Sequence, residues 1–185
     1  MATADADSAP IYTANSAIPV DLFVSKNFIH LTHGDIRFTD SDGKIVYRVN
    51  RRLHKRIILD SAGNPLIYIC RGDDKGSWQG FKGNHSQEKD LIFSVKRTVK
   101  TLTRTEFEVL LVGEISGGSA SDFMVKGCPF QRSCTIYRGD SLVAQTSLMY
   151  KLGQIYVRRD KFRLTIFPGS VEPALIVALV VIFLD

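Results

Sequence analysis

Residues 173–185 read P-A-L-I-V-A-L-V-V-I-F-L-D, and 174–184 form an unbroken apolar run that nothing upstream matches in length. Pro173 suits a first helical position, where its missing N–H would be unpaired in any case. Glu172 before it suits the positive end of a helix dipole. A helix apolar on every side must be buried on every side. From Pro173 the run reaches only ~18 Å at a helical rise, whereas a bilayer core needs about 20 residues. A buried central helix is therefore the favoured reading. The alternatives are a buried strand, because Ile176, Val177, Val180, Val181 and Ile182 are β-branched, and a membrane tail anchor, which the length argues against. The rest of the chain has to supply what encloses this segment.

Upstream, short apolar stretches alternate with turn signals. The unit strand–turn–strand recurs around Asp40-Ser41-Asp42-Gly43, Asp60-Ser61-Ala62-Gly63-Asn64-Pro65 and Arg138-Gly139-Asp140-Ser141. Strands are expected at 20–24, 28–32, 35–39, 44–49, 56–59, 66–70, 78–82, 91–96, 105–112, 122–126, 134–137, 142–145, 148–152, 154–158 and 162–167. Residues 113–121, rich in Gly and Ser, read as the most mobile loop. Frequent short strands point to an antiparallel sandwich or barrel. An open sandwich has no use for an apolar rod at its end. A closed barrel of about a dozen strands has room for a helix ~10–12 Å across along its axis. Residues 1–17, small and polar, read as a disordered leader, and 18–185 as a single barrel domain.

The composition narrows the function classes. The 185 residues carry a net charge of +5, with a pI near 9.2, which permits anionic partners without proving them. The three cysteines, Cys70, Cys128 and Cys134, form no C-x-x-C pair. They read as small buried thiols in a reducing interior. No secretory-type apolar stretch opens the chain. The expected location is intracellular: cytoplasmic, peripheral at the plasma membrane, or nuclear.

Signatures of catalysis are poor. Gly139-Asp140-Ser141 is followed by Leu142, not by the Gly a serine-protease signature needs. In Gly113-Glu114-Ile115-Ser116-Gly117 the Ser stands one place late for a nucleophile elbow. There is no phosphate-binding loop and no dinucleotide fingerprint. His30 and His33 would face opposite sides of a strand. His54 and His85 read as solvated, and Asp73-Asp74 lacks the spacing of a calcium loop. No enzyme, metal or cofactor is expected.

Basic residues make a stronger case. Arg48, Arg51, Arg52, Lys55 and Arg56 form the densest cluster. Lys96, Arg97, Lys100 and Arg104 form a second, and Arg158, Arg159, Lys161 and Arg163 a third. Strand ends and hairpins of a barrel are able to gather such clusters. Arg48, Arg51, Arg52, Lys55, Arg56, Lys96 and Arg97 are the candidate anionic-lipid patch. The bland alternative is a solvated basic exterior.

Three blocks carry a family resemblance. One is Leu59-Asp60-x-x-Gly63-x-Pro65 after the basic segment. The second is Asp90-Leu91-Ile92-Phe93-Ser94-Val95-Lys96-Arg97, preceded by Trp78-Gln79-Gly80-Phe81 and Gly83. The third runs Asp122-Phe123-x-Val125-Lys126-Gly127, Arg132-Ser133-Cys134, Val143-Ala144-Gln145 and the apolar C-terminus. From about Ile18 onward the chain resembles the plant LURP-one-related proteins. The resemblance implies a closed twelve-stranded antiparallel β-barrel around a central C-terminal helix, similar to tubby C-terminal domains and phospholipid scramblases. It implies a non-enzymatic signalling module, defence included, with membrane phospholipid, phosphoinositide above all, as the first ligand to test. A protein partner, or a DNA-binding regulator like the membrane-tethered tubby proteins, is the alternative. Nucleic acid ranks lower, because no helix-turn-helix or zinc finger is present. Scrambling would need a lipid path that a barrel-enclosed helix does not offer. The chain departs from its relatives in lacking an acidic residue between His54 and Lys55. It also stops at Asp185, where relatives run on, a difference expected to matter little to the barrel.

Overall fold

The computed structural model describes residues 17–26, 35–52, 55–112, 121–149, 161–169 and 171–185. The expected strands at 28–32 and 154–158, residues 1–16 of the leader, loop residues 113–120, and His30, His33, His54, Arg158 and Arg159 lie outside the described residues.

Alternating apolar and polar residues build the wall. Twelve strands follow one another: β1 (Val20–Lys26), β2 (Ile36–Thr39), β3 (Ile45–Arg52), β4 (Lys55–Leu59), β5 (Pro65–Arg71), β6 (Ser77–Lys82), β7 (Leu91–Lys100), β8 (Thr105–Leu111), β9 (Phe123–Cys128), β10 (Ser133–Arg138), β11 (Ser141–Leu148) and β12 (Lys161–Ile166). Each pairs antiparallel with its neighbours in sequence. The barrel closes where β1 meets β12, from Val20 opposite Ile166 to Ser25 opposite Lys161. Closure leaves no unpaired sheet edge.

The Asp/Gly turns behave as their chemistry demands. Asp40 Oδ1 accepts the backbone N–H of Asp42 at 3.0 Å and of Lys44 at 2.9 Å. Asp60 Oδ1 accepts the N–H of Asn64 at 2.8 Å. These side-chain bonds replace those a continuing strand would have made. The pairing shifts register beside each turn, between Phe38 and Thr39 and between Ile58 and Leu59. Each shift is a bulge that bends the strand into its hairpin.

The last segment is a helix, α1 (Pro173–Phe183), with all eleven residues buried. It shares one core with inward residues of the wall, among them Leu22, Phe38, Phe93, Phe123, Ile136 and Leu164. The enclosed rod expected from the sequence is present, one residue shorter at its end, since Leu184 caps it. Two glycines make room. A Cβ on Gly80 would stand 2.2 Å from the ring of Phe93, and one on Gly127 2.1 Å from the carbonyl oxygen of Ser133.

Some element bounds differ from expectation. β7 runs on to Lys100 past a bulge between Arg97 and Val99. β11 extends to Leu148, absorbing the start of the strand expected at 148–152. Two short 3₁₀ turns, Glu88–Asp90 and Pro129–Gln131, were not expected. Among the described residues no helix is long and apolar enough to cross a membrane.

Because neighbouring strands alternate in direction, successive turns alternate between the two ends. The end of β3 and the turns after β5, β7 and β9 lie where α1 finishes, marked by Phe183 against Phe107, ring centroids 6.1 Å apart. Those after β2, β4, β6 and β10 lie at the other end.

Candidate anion-binding mouth of the barrel

Side chains two residues apart on a strand share a face. On β3, Val49 points inward, so Arg51 does too. On β4 the inward Ile58 puts Arg56 on the same side; on β5 Ile69 does so for Arg71; on β7 Val95 does so for Arg97. Arg51, Arg56 and Arg71 stand at the last inward position of their strands before the same open end, and Arg97 faces the same end from β7, which runs on to Lys100. The apolar interior is replaced there by guanidinium groups.

Asp185, two residues beyond α1, meets them. Arg56 Nη2 forms an ion pair with Asp185 Oδ1. Arg51 Nη2 lies 3.3 Å from the same oxygen, and Arg71 Nη2 3.3 Å from Oδ2. The Asp185 side chain is 8% exposed, against 58% for Arg71. Burial alone would raise the Asp185 carboxyl. Arg56, then Arg71 and Arg51, outweigh it and hold the group below the ordinary carboxylate range. Arg51 is pulled below its usual value first by burial and then by the adjacent Arg56, with Asp185 opposing. Three guanidinium groups thus share one carboxylate at the negative end of the helix dipole, where cations are favoured. Trp78 forms part of the floor. Arg71 lies over its ring at 6.0 Å and Arg97 at 5.6 Å, within cation–π reach.

The structure divides the candidate patch. Arg51, Arg56 and Arg97 belong to the mouth. Lys55 and Lys96 are exposed on the outer wall near the same end, Lys55 with its ammonium 5.8 Å from the Tyr68 ring centroid. Arg52 pairs in register with Lys55. Arg48 is exposed further down the wall, opposite Arg37 and Leu59. Lys100 and Arg104 border the mouth, Arg104 Nε donating to Glu106 Oε1 at 2.7 Å. Arg163 turns outward to Asp21, 3.5 Å away. Arg71 and Asp185 were absent from the sequence-based patch. The alternation L-I-Y-I-C-R, in phase with Ile67 and Ile69, was the signal for Arg71.

The recess between Arg56, Ile69, Cys70, Trp78, Ile182 and Asp185 has a volume of about 10 Å³, room for one water. An anion would meet the mouth from outside. Among the described residues no three His, Cys, Asp or Glu side chains group as metal ligands. The thiols are free. Burial raises Cys70 above its usual value and pushes Cys134 up to about 12, against a weaker opposing bond from Thr146. Neither environment favours a thiolate.

Comparison with known proteins agrees with this architecture. A solved X-ray structure of an Arabidopsis thaliana protein superposes with a TM-score of 0.66 at 28% identity, covering 93% of each chain. The sequence is 51% identical over 169 residues to Protein LURP-one-related 7 of Arabidopsis thaliana, covering 91% of this chain and 90% of the relative. It is 32% identical to Protein LURP-one-related 15 of the same plant, over 90% of this chain and 80% of that one. The profile described as LURP-one-related matches residues 20–185, and the chain belongs to the LURP-one-related family.

Proposed function

We propose that this barrel is a non-enzymatic module that binds anionic phospholipid head groups at a membrane surface, with phosphoinositide the first ligand to test. The observation that carries the reading is the convergence of Arg51, Arg56, Arg71 and Arg97 at one mouth. Guanidinium forks match phosphate oxygens in geometry and charge. A basic residue near an anionic bilayer contributes about 1 kcal/mol of attraction. In this reading residues 18–185 act as one unit in the cytoplasm, docking peripherally at the plasma membrane and serving signalling, defence included. Burial pushes the Cys134 thiol up to about 12, which makes it a poor nucleophile, and the water-sized recess at the mouth supports contact with a ligand at its rim.

Liposome co-sedimentation at physiological salt tests it, comparing neutral vesicles, phosphatidylserine vesicles and the latter with added phosphoinositide. Sedimentation that depends on the head group and survives physiological salt is expected. Binding that ignores the head group and vanishes with salt reduces the mouth to nonspecific charge. Tight binding to one DNA sequence would instead favour the regulator reading.

A further inference from the structure

We infer that the barrel meets an anionic bilayer end-on, mouth first, with Leu102 and Phe130 entering the boundary between head groups and acyl chains. This deepens the lipid reading and rests on it.

Leu102 is 92% exposed and Phe130 63% exposed. Both occupy the tips of turns at the end where α1 finishes, Leu102 between β7 and β8 and Phe130 between β9 and β10. Strands β8 and β9 are neighbours, and Thr105 pairs with Gly127, so the two turns spring from adjoining positions. Each turn is held by its own bonds. The N–H of Thr101 donates to the carbonyl of Arg104 at 2.8 Å, and the N–H of Arg104 to Thr101 Oγ1 at 2.9 Å. In the other, Arg132 takes a left-handed conformation, φ 54°, and donates its N–H to the carbonyl of Pro129 at 3.1 Å. The tips are therefore presented by turns that are already shaped. Lys100, Arg104, Lys126 and Arg132 flank them, and the adjacent Glu106 is neutralised by Arg104.

Exposed apolar side chains also occur toward the opposite end, at Ile18, Val112 and Leu142. The turns there carry Asp40, Asp42, Asp60, Asp122, Asp140 and Glu172, which outnumber Lys44, Lys82, Lys89 and Arg138 at the same end, whereas Asp73 and Asp74 at the mouth are outnumbered by its lysines and arginines. An anionic surface repels that end and attracts the mouth. Apolar tips within a basic rim are what an interfacial binder presents, since charge draws it down and apolar area holds it there.

The test uses an added tryptophan as a depth probe, in Leu102→Trp, Phe130→Trp and Leu142→Trp. Trp78, the one native tryptophan, is common to all and sets the background. Vesicles contain phosphatidylserine, with or without brominated acyl chains. Expected is bromine quenching above background for the first two variants and none for Leu142→Trp. The paired change Leu102→Asp and Phe130→Asp is expected to lower vesicle partition about tenfold or more, the order of losing one well-buried apolar side chain. If the native protein binds the vesicles but the tip probes stay at background, or Leu142→Trp is quenched, the end-on inference is overturned and the lipid reading stands. If the native protein binds no anionic vesicle, both fall.

Discussion

Asp185 concentrates the chemistry of the mouth into one residue. Its carboxylate is shared by Arg51, Arg56 and Arg71, which ties the end of α1 to three consecutive strands. Asp185→Asn keeps the shape and removes the charge. The change should destabilise the protein by about 2 kcal/mol at pH 7, within the range for a charge-assisted hydrogen bond. The pH dependence has a definite sign. The folded carboxyl sits below its unfolded value, so its contribution is full above about pH 4, the ordinary Asp value, and fades as pH falls through the lower folded value. Urea denaturation of both proteins at pH 7 and pH 3 checks this: the gap between them should narrow at pH 3, and an unchanged gap would deny Asp185 its electrostatic role. The arginines of this site were visible in the sequence as charges but not as a site. Arg51 and Arg56 stand in one basic run with Arg48 and Lys55, although strand parity turns the first two inward and the other two outward. Parity also marked Arg71. Nothing in the sequence marked Asp185, because its partners lie more than a hundred residues away, 114 in the case of Arg71.

The decisive element is α1. Without it the barrel wall would surround a void lined by Phe93, Phe123, Leu164 and their neighbours, and the interior would either flood or collapse. Deleting residues 174–185 should therefore leave no cooperatively folded protein, and a truncated chain that still melts in a single sharp transition would refute this. A smaller change probes the same fit from the wall. Gly80→Ala puts a methyl against the Phe93 ring, and overpacking of that kind costs about 1–3 kcal/mol. Adding Phe93→Leu should recover part of the loss, since a narrower side chain replaces the ring; thermal melts of the single and double variants decide it. At this scale most of the architecture was legible. The all-round apolar run left burial as its only soluble solution, and the Asp/Gly turns marked the hairpins at 40–43 and 60–65. Strand ends were less legible. Polar outward residues such as Gln145 and Ser147 do not reveal that β11 continues to Leu148, where pairing with β12 decides the matter.

At the scale of the whole molecule, antiparallel order turns a chain of modest net charge, +5, into a polarised body. Odd-numbered strands deliver their C-terminal residues to one end, where the mouth arginines with Lys75, Lys100 and Arg132 outnumber Asp73 and Asp74. The other end collects Asp40, Asp60, Asp140 and Glu172, which with their acidic neighbours outnumber Lys44, Lys82 and Arg138 there. The sequence showed basic clusters but not this polarity, because adjacent turns alternate in destination and the clusters are spaced along the chain. If placement rather than total charge governs membrane attraction, two charge-matched variants should part company. Lys75→Glu with Lys100→Glu alters the mouth end; Lys44→Glu with Lys82→Glu alters the far end, and both change net charge equally. At about 1 kcal/mol per basic residue near an anionic surface, the first variant should lose partition onto phosphatidylserine vesicles by roughly thirtyfold or more. The second should stay within about twofold, because its altered groups stand a full strand length from the bilayer, ~20 Å for six residues, well beyond the ~8 Å screening length of physiological salt. Equal losses in co-sedimentation would mean that the barrel is attracted as a whole rather than by one end.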